Sequence, residues 1–214
     1  MSRLDAEVLR RGLSNCTIGR EIVVLSETTS TNDAILQLAA PNNEEGLVIF
    51  AEYQTAGRGQ RGNVWESASA KGLWLSILLR PNIHIRDSPR LTSWAAKIVA
   101  TTVQDSTLLN AIVKPPNDVY VDGRKVGGVL VEMRAQKNAP HLAIVGIGVN
   151  VNHTPEDFSE TLRSQAISLA MALDRQLDRN EFAIALLRDL DRTYPAVCSG
   201  DFGQNGAAVP HLKR

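Results

Sequence analysis

The chain has 214 residues, 43% of them hydrophobic, and its 23 basic and 23 acidic side chains give a formal net charge of zero. This length supports one sizeable core, and the neutral balance without a long basic run disfavours a nucleic-acid partner. The start of the chain lacks a signal-peptide core and the longest apolar runs are too short to cross a bilayer, so we expect a soluble, cytoplasmic protein with no membrane partner.

Short apolar strands alternate with helical patterns, which favours an α/β or α+β layer structure. In the first half of the chain, Glu21–Leu25 predicts a strand, and residues 33–39 predict a helix with N-cap candidates just before it. Residues 46–51 predict a second strand that leads into a glycine-rich loop. A third strand is predicted at Leu73–Leu79, followed by a long helix over residues 89–109 that begins at a Ser-Pro pair.

The second half continues with extended segments at Ala111–Lys114 and Asp118–Val121. The pair Asp122-Gly123 is typical of a two-residue hairpin and returns the chain as a strand over residues 125–134. The remaining expected elements are a central strand at 141–151 and helices near 159–173 and 179–194. After Pro195 the chain turns polar and glycine-rich, and residues 201–214 give little sign of a packed element.

The first glycine-rich loop, GRGQRGNVW at residues 57–65, is suited to an anionic ligand. Arg58 and Arg61 supply guanidinium groups that fit phosphate or carboxylate, and Trp65 is placed to close over a flat ring. The alternative is a solvent-exposed turn with incidental arginines. The glycines that permit positive φ angles and close ligand approach are Gly57, Gly59 and Gly62.

A second segment adds a lysine and an acid. Asn117 and Asp118 leave a Pro-Pro turn, and Lys125 follows the hairpin, with two glycines nearby. A lysine near a phosphate stabilises charge that grows on a reacting oxygen. Asp118 is suited to accept a proton or to help hold Mg²⁺. The alternatives are an ordinary Asn-Asp turn and a solvated edge lysine.

Four stretches occur in unbroken order: STN at 30–32, EYQTAGRG at 52–59, PNDVYV followed by GRKVGGVLVE within 116–132, and GIGVNVN at 146–152. Together, over about residues 22–194, they resemble the catalytic domain of biotin protein ligases. The resemblance implies an α+β fold like that of class II aminoacyl-tRNA synthetases and biotin/lipoate ligases, with a mixed or antiparallel central sheet flanked by helices.

The resemblance also implies an activity. Biotin attacks the α-phosphate of ATP with Mg²⁺ present, giving biotinyl-5′-AMP and pyrophosphate, and a lysine of a biotin carboxyl carrier protein then takes the biotinyl group. Alternatives that stay open are a lipoate or octanoate ligase or transferase of the related fold, and a non-catalytic biotin-binding relative. No protein-held metal site is expected. Apolar edge strands leave a homodimer open.

Site residues follow from the resemblance, position by position. The implied catalytic residues are Arg58, Lys125 and Asp118. The implied biotin-binding residues are Ser30, Thr31, Asn32, Gln54, Gly57, Arg58, Gly59, Gln60, Lys125, Gly127 and Gly128. The implied nucleotide-binding residues are Arg58, Arg61, Trp65, Asn117, Lys125 and Asn150. Structural readings compete for three of these groups: helix capping by Ser30 and Thr31, the end of a buried strand at Asn150, and relief of strand packing at the glycine pair.

The chain departs from the resemblance at several points. Gln60 and Asn63 stand where the family often has arginine, so we expect weaker retention of the adenylate. Pro115 stands where the family motif has a tryptophan. Residues 1–195 are expected to form the catalytic domain and 196–214 a short polar tail. Neither an N-terminal helix-turn-helix domain nor a C-terminal β-barrel domain is expected, which puts nucleotide affinity in doubt.

Overall fold

The computed structural model describes residues 3–39, 45–136 and 140–199. Within these residues, a seven-stranded sheet has the order β1-β2-β3-β7-β6-β5-β4. The β1–β2 pair is parallel and every other neighbouring pair is antiparallel. The strands are β1 Glu21–Leu25, β2 Leu47–Ala51, β3 Leu73–Leu79, β4 Ala111–Lys114, β5 Asp118–Val121, β6 Arg124–Arg134 and β7 Leu142–Val149. The expected mixed sheet with flanking helices is confirmed.

Helices cover both faces of the sheet. They are α1 Ala6–Gly12, α2 Thr31–Leu38, α3 Ser88–Thr107, α4 Leu169–Leu173 and α5 Arg179–Cys198. Successive side chains of a strand point to opposite faces. In β2, Val48 and Phe50 therefore join the large core with α3 and α5, whereas Leu47 and Ile49 pack against α2 on the other face. No helix in the described parts of the chain is long and apolar enough to cross a membrane.

Most predicted strands appear close to their expected positions, and β7 lies in the middle of the sheet as expected. The Asp122-Gly123 turn has positive φ angles at both residues, 50° and 72°. That is the backbone of a type I′ hairpin turn, which matches the twist of the strands it joins.

The expected helix over residues 159–173 is wrong for most of its length, because only Leu169–Leu173 is an α-helix. The backbone of the preceding segment pairs instead with Lys125, whose N–H donates to Gln165 O at 2.8 Å and whose C=O accepts from Ile167 N at 2.9 Å. Backbone groups bonded to a distant strand are not available for a continuous helix.

The expected end of the last helix at Tyr194 is also wrong. Helix α5 continues through Pro195 to Cys198 and passes the expected domain boundary at 195. Val197 is buried in the large core, and this packing offsets the hydrogen bond that proline removes. Of the expected polar tail, residues 200–214 lie outside the described residues.

Candidate active site

A cleft of about 280 Å³ lies on the sheet face that carries α2. The start of α2, the first glycine-rich loop, the Pro-Pro turn and strands β6 and β7 line it. The predicted site residues that line it are Ser30, Thr31, Asn32, Gln54, Arg58, Gly59, Gln60, Arg61, Trp65, Asn117, Asp118, Lys125 and Gly128. Arg58 and Lys125, from distant parts of the sequence, therefore face one cavity.

Three predicted site residues do not line the cleft. Asn150 is buried, and its side-chain amide donates to Ile167 O at 3.2 Å. Gly127 points to the opposite face from Gly128, because neighbouring residues of β6 alternate. Gly57 sits under the glycine-rich loop, where a Cβ would come within 2.5 Å of Trp65 O.

The glycine-rich loop closes on itself. The Gly59 N–H donates to Asn63 O at 2.7 Å, and the Trp65 N–H donates to Gly57 O at 2.9 Å. The glycines of the loop were expected to permit positive φ angles and close approach of a ligand. Only Gly62 adopts a positive φ, at 81°, next to Arg61 at 57°. Gly57 is needed for space, since a side chain there would collide with the returning strand of the loop.

Arg58 is held by two carboxylates that the sequence analysis did not single out. Its Nη2 lies 2.8 Å from Asp33 Oδ1 on α2 and 2.9 Å from Glu132 Oε2 on β6. The Arg58 side chain is 41% exposed, so its guanidinium is paired and also accessible. A glutamate directly after the apolar run in the middle of β6 was the available signal for this partner.

Lys125 is fixed at its backbone and paired at its tip. Its Nζ lies 2.7 Å from Asp118 Oδ1 and 5.3 Å from the centroid of the Trp65 ring. Asp118 Oδ1 is buried, and this ion pair is not aligned as a hydrogen bond, so among the described groups the oxygen has no hydrogen-bond donor. It can accept one more donor from a ligand.

The floor of the cleft is a buried, uncharged polar network. Gln54 Oε1 accepts from the backbone N–H of Thr31 at 2.8 Å and from its hydroxyl at 3.2 Å. The Ser76 hydroxyl lies 2.8 Å from Thr31 Oγ1 and 2.6 Å from Asn32 Oδ1. Ser76 was missed from the sequence, although it is a hydroxyl in the otherwise apolar strand β3. Ser30 makes no side-chain capping bond to α2, so capping does not occupy its hydroxyl.

Trp65 forms an aromatic wall beside Lys125. Its indole lies against Gly148, where a Cβ would come within 2.7 Å of Trp65 Cε2, and it meets Trp74 edge-on at 6.0 Å between centroids. The buried Nε1 of Trp65 has no hydrogen-bond partner among the described residues. Glycine at 148 is therefore required for this indole position.

Metal-binding side chains are sparse here. Across the described ranges, no group of three or more His, Cys, Asp and Glu side chains could hold a metal ion. Asp118 is the acidic residue that lines the cleft.

Comparison with known proteins decides the family. A family model described as the biotin/lipoate A/B protein ligase family matches residues 24–150, more than half of the chain. The chain belongs to this family. Membership agrees with a cleft that combines three cations, an indole and a neutral polar floor.

Individual relatives include the bifunctional ligase/repressor BirA of Bacillus subtilis, 36% identical over 177 residues, which are 83% of this chain and 54% of that protein. The biotin–[acetyl-CoA-carboxylase] ligase of Mycobacterium tuberculosis is 33% identical over 88% of this chain and 70% of its own. The chain thus spans about half the length of the Bacillus relative.

Solved structures show the same fold. Biotin protein ligase from Aquifex aeolicus, in complex with biotin and ATP, superposes with a TM-score of 0.72 at 28% identity, over 86% of this chain and 74% of that one. A putative lipoate protein ligase from T. acidophilum with bound lipoic acid gives a TM-score of 0.62 at 14% identity, over 82% of this chain and 85% of that one. The second likeness concerns the fold alone.

Proposed function

We propose that this protein is an ATP-dependent ligase that activates biotin as biotinyl-5′-AMP and transfers it to a lysine of a biotin carboxyl carrier protein. The observation that carries the proposal is the convergence of Arg58 and Lys125 on one cleft above a neutral polar floor. Family membership and a relative named as a biotin–[acetyl-CoA-carboxylase] ligase support it.

In the first step, a carboxylate oxygen of biotin attacks the α-phosphorus of ATP and pyrophosphate leaves. Two anions must approach each other, so the reaction needs fixed positive charge at the point of contact. Arg58 and Lys125 supply it. The Trp65 wall offers a flat apolar surface for the adenine ring.

The floor of the cleft suits the uncharged ureido ring of biotin. Thr31 and Gln54 lie there with hydrogen-bonding groups already oriented by each other. A buried, pre-oriented polar site rejects ligands that leave its groups unpaired. We propose that this floor selects biotin over lipoate, whose dithiolane ring lacks those hydrogen-bonding groups.

In the second step, the amine of the carrier lysine attacks the carbonyl carbon of the mixed anhydride. An amide bond forms, the bond from carbon to the phosphate oxygen breaks, and AMP leaves. The attacking amine must lose a proton. Asp118, with a buried oxygen that lacks an aligned donor, is the proposed acceptor.

Mg²⁺ fits this site as an ion carried by ATP. It is commonly bound through one or two carboxylates together with substrate phosphates, and it would neutralise phosphate charge here. Asp118 is the cleft residue that would reach it. Gln60 and Asn63, which also line the cleft, supply no charge, and we propose that they hold the adenylate less tightly than arginines would.

We also propose a cytoplasmic location, where ATP and carrier proteins meet, and a homodimer through the edge strand β4. Ile112 of that strand is 55% exposed. Sedimentation would test the second of these directly.

The decisive experiment is mass spectrometry of a biotin carrier domain incubated with the protein, biotin, ATP and Mg²⁺. The expected result is a mass gain of one biotinyl group that requires ATP. Pyrophosphate release without the carrier separates the first step from the second. Equal silence of the wild type and Lys125→Ala in both assays would contradict the proposal and favour a biotin-binding protein. Transfer of lipoyl instead of biotinyl would contradict the substrate assignment.

A further inference from the structure

We infer that Glu132 is a positioning residue with two effects. It holds Arg58, the cation proposed to bind the carboxylate of biotin, and it fixes the direction of the hydrogen bonds in the cleft floor. The inference rests on the proposed function of the same cleft. Glu132 lies on β6, with alternate residues Gly128 and Leu130 of that strand lining the cleft. It is not itself among the lining residues, so it acts through its neighbours.

One oxygen of Glu132 joins two parts of the site. Its Oε2 accepts from Arg58 Nη2 at 2.9 Å and from Asn32 Nδ2 at 2.7 Å. The first bond ties the glycine-rich loop to β6, and the second ties the start of α2 to the same strand. Asp33, the other carboxylate on Arg58, has no bond to Asn32 among those described. Glu132 is thus the shared partner of the loop and the floor.

The charge of Glu132 also fixes the direction of the floor's hydrogen bonds. An ionised carboxylate only accepts, so the amide of Asn32 must present its nitrogen to Glu132 and its oxygen to Ser76. The single hydrogen of the Ser76 hydroxyl then points to Asn32 Oδ1, 2.6 Å away. The Thr31 hydroxyl is left to donate towards Ser76 or Gln54, and its oxygen keeps a lone pair for a ligand N–H.

This arrangement makes the floor an acceptor at Thr31 before any ligand arrives. A ureido ring brings two N–H donors, so a floor fixed in this direction binds it without first reorienting. Glutamine at 132 could either donate or accept, and the amide of Asn32 could then turn over. The direction would be lost while the shape of the site stayed nearly the same.

The test measures affinity by titration calorimetry for two ligands: biotin, and the neutral alcohol obtained by reducing its carboxylate. Glu132→Gln is expected to weaken both ligands by about tenfold, the worth of one well-made hydrogen bond. Asp33→Asn removes only the ion pair with Arg58 and leaves the floor intact. Its dissociation constant for the alcohol should therefore stay within about twofold of the wild-type value. Glu181→Gln removes an exposed carboxylate at the start of α5 and should leave both affinities unchanged.

Outcomes separate the inference from the proposed function. If wild-type protein binds neither ligand, the proposed function fails. If the wild type binds both and Glu132→Gln binds the alcohol equally well, Glu132 does not set the floor and the inference is overturned. Melting temperatures are recorded for each variant. If Glu132→Gln does not fold, Ser76→Ala is used instead, because it removes the next hydrogen bond of the network, from Ser76 to Asn32. An unchanged affinity of Ser76→Ala for the alcohol would overturn the inference.

Discussion

The buried ion pair between Arg179 and Glu52 ties the start of α5 to the segment that follows β2 and leads to the glycine-rich loop. Arg179 Nη1 lies 2.7 Å from Glu52 Oε2, and Nη2 lies 3.1 Å from Oε1. Their side chains are 1% and 8% exposed. The same arginine donates to Gly72 O at 3.1 Å, and Glu52 Oε1 accepts from Leu4 N at 2.7 Å. We predict that Arg179→Met strongly destabilises the fold.

The magnitude follows from what the substitution leaves behind. Methionine fills much of the space but removes the partner of a buried carboxylate, which costs about 3–5 kcal/mol. For a domain of this size, each kcal/mol lowers the melting temperature by about 2–4 °C, so the expected fall is about 6–20 °C. Most of this penalty is the uncompensated charge of Glu52. Glu52→Gln combined with Arg179→Met should therefore be less destabilised than Arg179→Met alone.

Urea denaturation followed by circular dichroism gives the free energy of unfolding for the variants. Arg192→Met is the matched control, because Arg192 lies on the same helix in an exposed pair with Asp189 and should change stability by under about 1 kcal/mol. A loss below about 1 kcal/mol in Arg179→Met would refute the reasoning. So would a double variant that lost the full sum of the two single losses.

Three further outcomes are expected. Lys125→Met should slow pyrophosphate release by about 100-fold to 1000-fold, because transition-state charge loses its stabiliser, while circular dichroism shows an unchanged fold. Burial lowers the pKa of His153 to about 4 from 6.5, so the free energy of unfolding should fall by about 3 kcal/mol as the pH drops from 6.5 to 4, and urea titrations of His153→Phe should lack that part of the loss. The sign follows because the unfolded chain takes up the proton first. Gln60→Arg should lengthen the half-life of bound adenylate in a chase assay, and an unchanged half-life would show that Gln60 does not limit retention.

The strands were predictable because their signal is local. Leu73–Leu79 is a continuous apolar run, and the Asp-Gly pair specifies a hairpin turn whatever surrounds it. The structure of residues 159–168 was not predictable from local sequence, because it depends on pairing with Lys125, which is far away in the sequence. Pro195 was misjudged for a similar reason: the burial of Val197 that keeps the helix going is a tertiary effect.

The candidate site divides in the same way. Short ordered stretches were enough to predict most of the polar residues that line the cleft, although three predicted residues, Gly57, Gly127 and Asn150, do not line it. Asp33, Ser76 and Glu132 were not singled out, because each acts through a partner that only folding brings near it. A charged or hydroxyl residue within or directly after the apolar run of a strand was the one usable signal, and it identifies Ser76 and Glu132.

The buried ion pair and the partly exposed ion pairs of this protein have different roles. Arg179 and Glu52 are almost fully buried, so exchanging either partner would expose an unpaired charge to the core. Arg58 and Lys125 are paired at similar distances, but their side chains are 41% and 32% exposed. Half-exposed pairs contribute about 0–1 kcal/mol, which is little enough for an incoming carboxylate or phosphate to replace the protein's acids. The carboxylates of Asp33, Glu132 and Asp118 therefore hold the two cations at the cleft while contributing little to the stability of the fold.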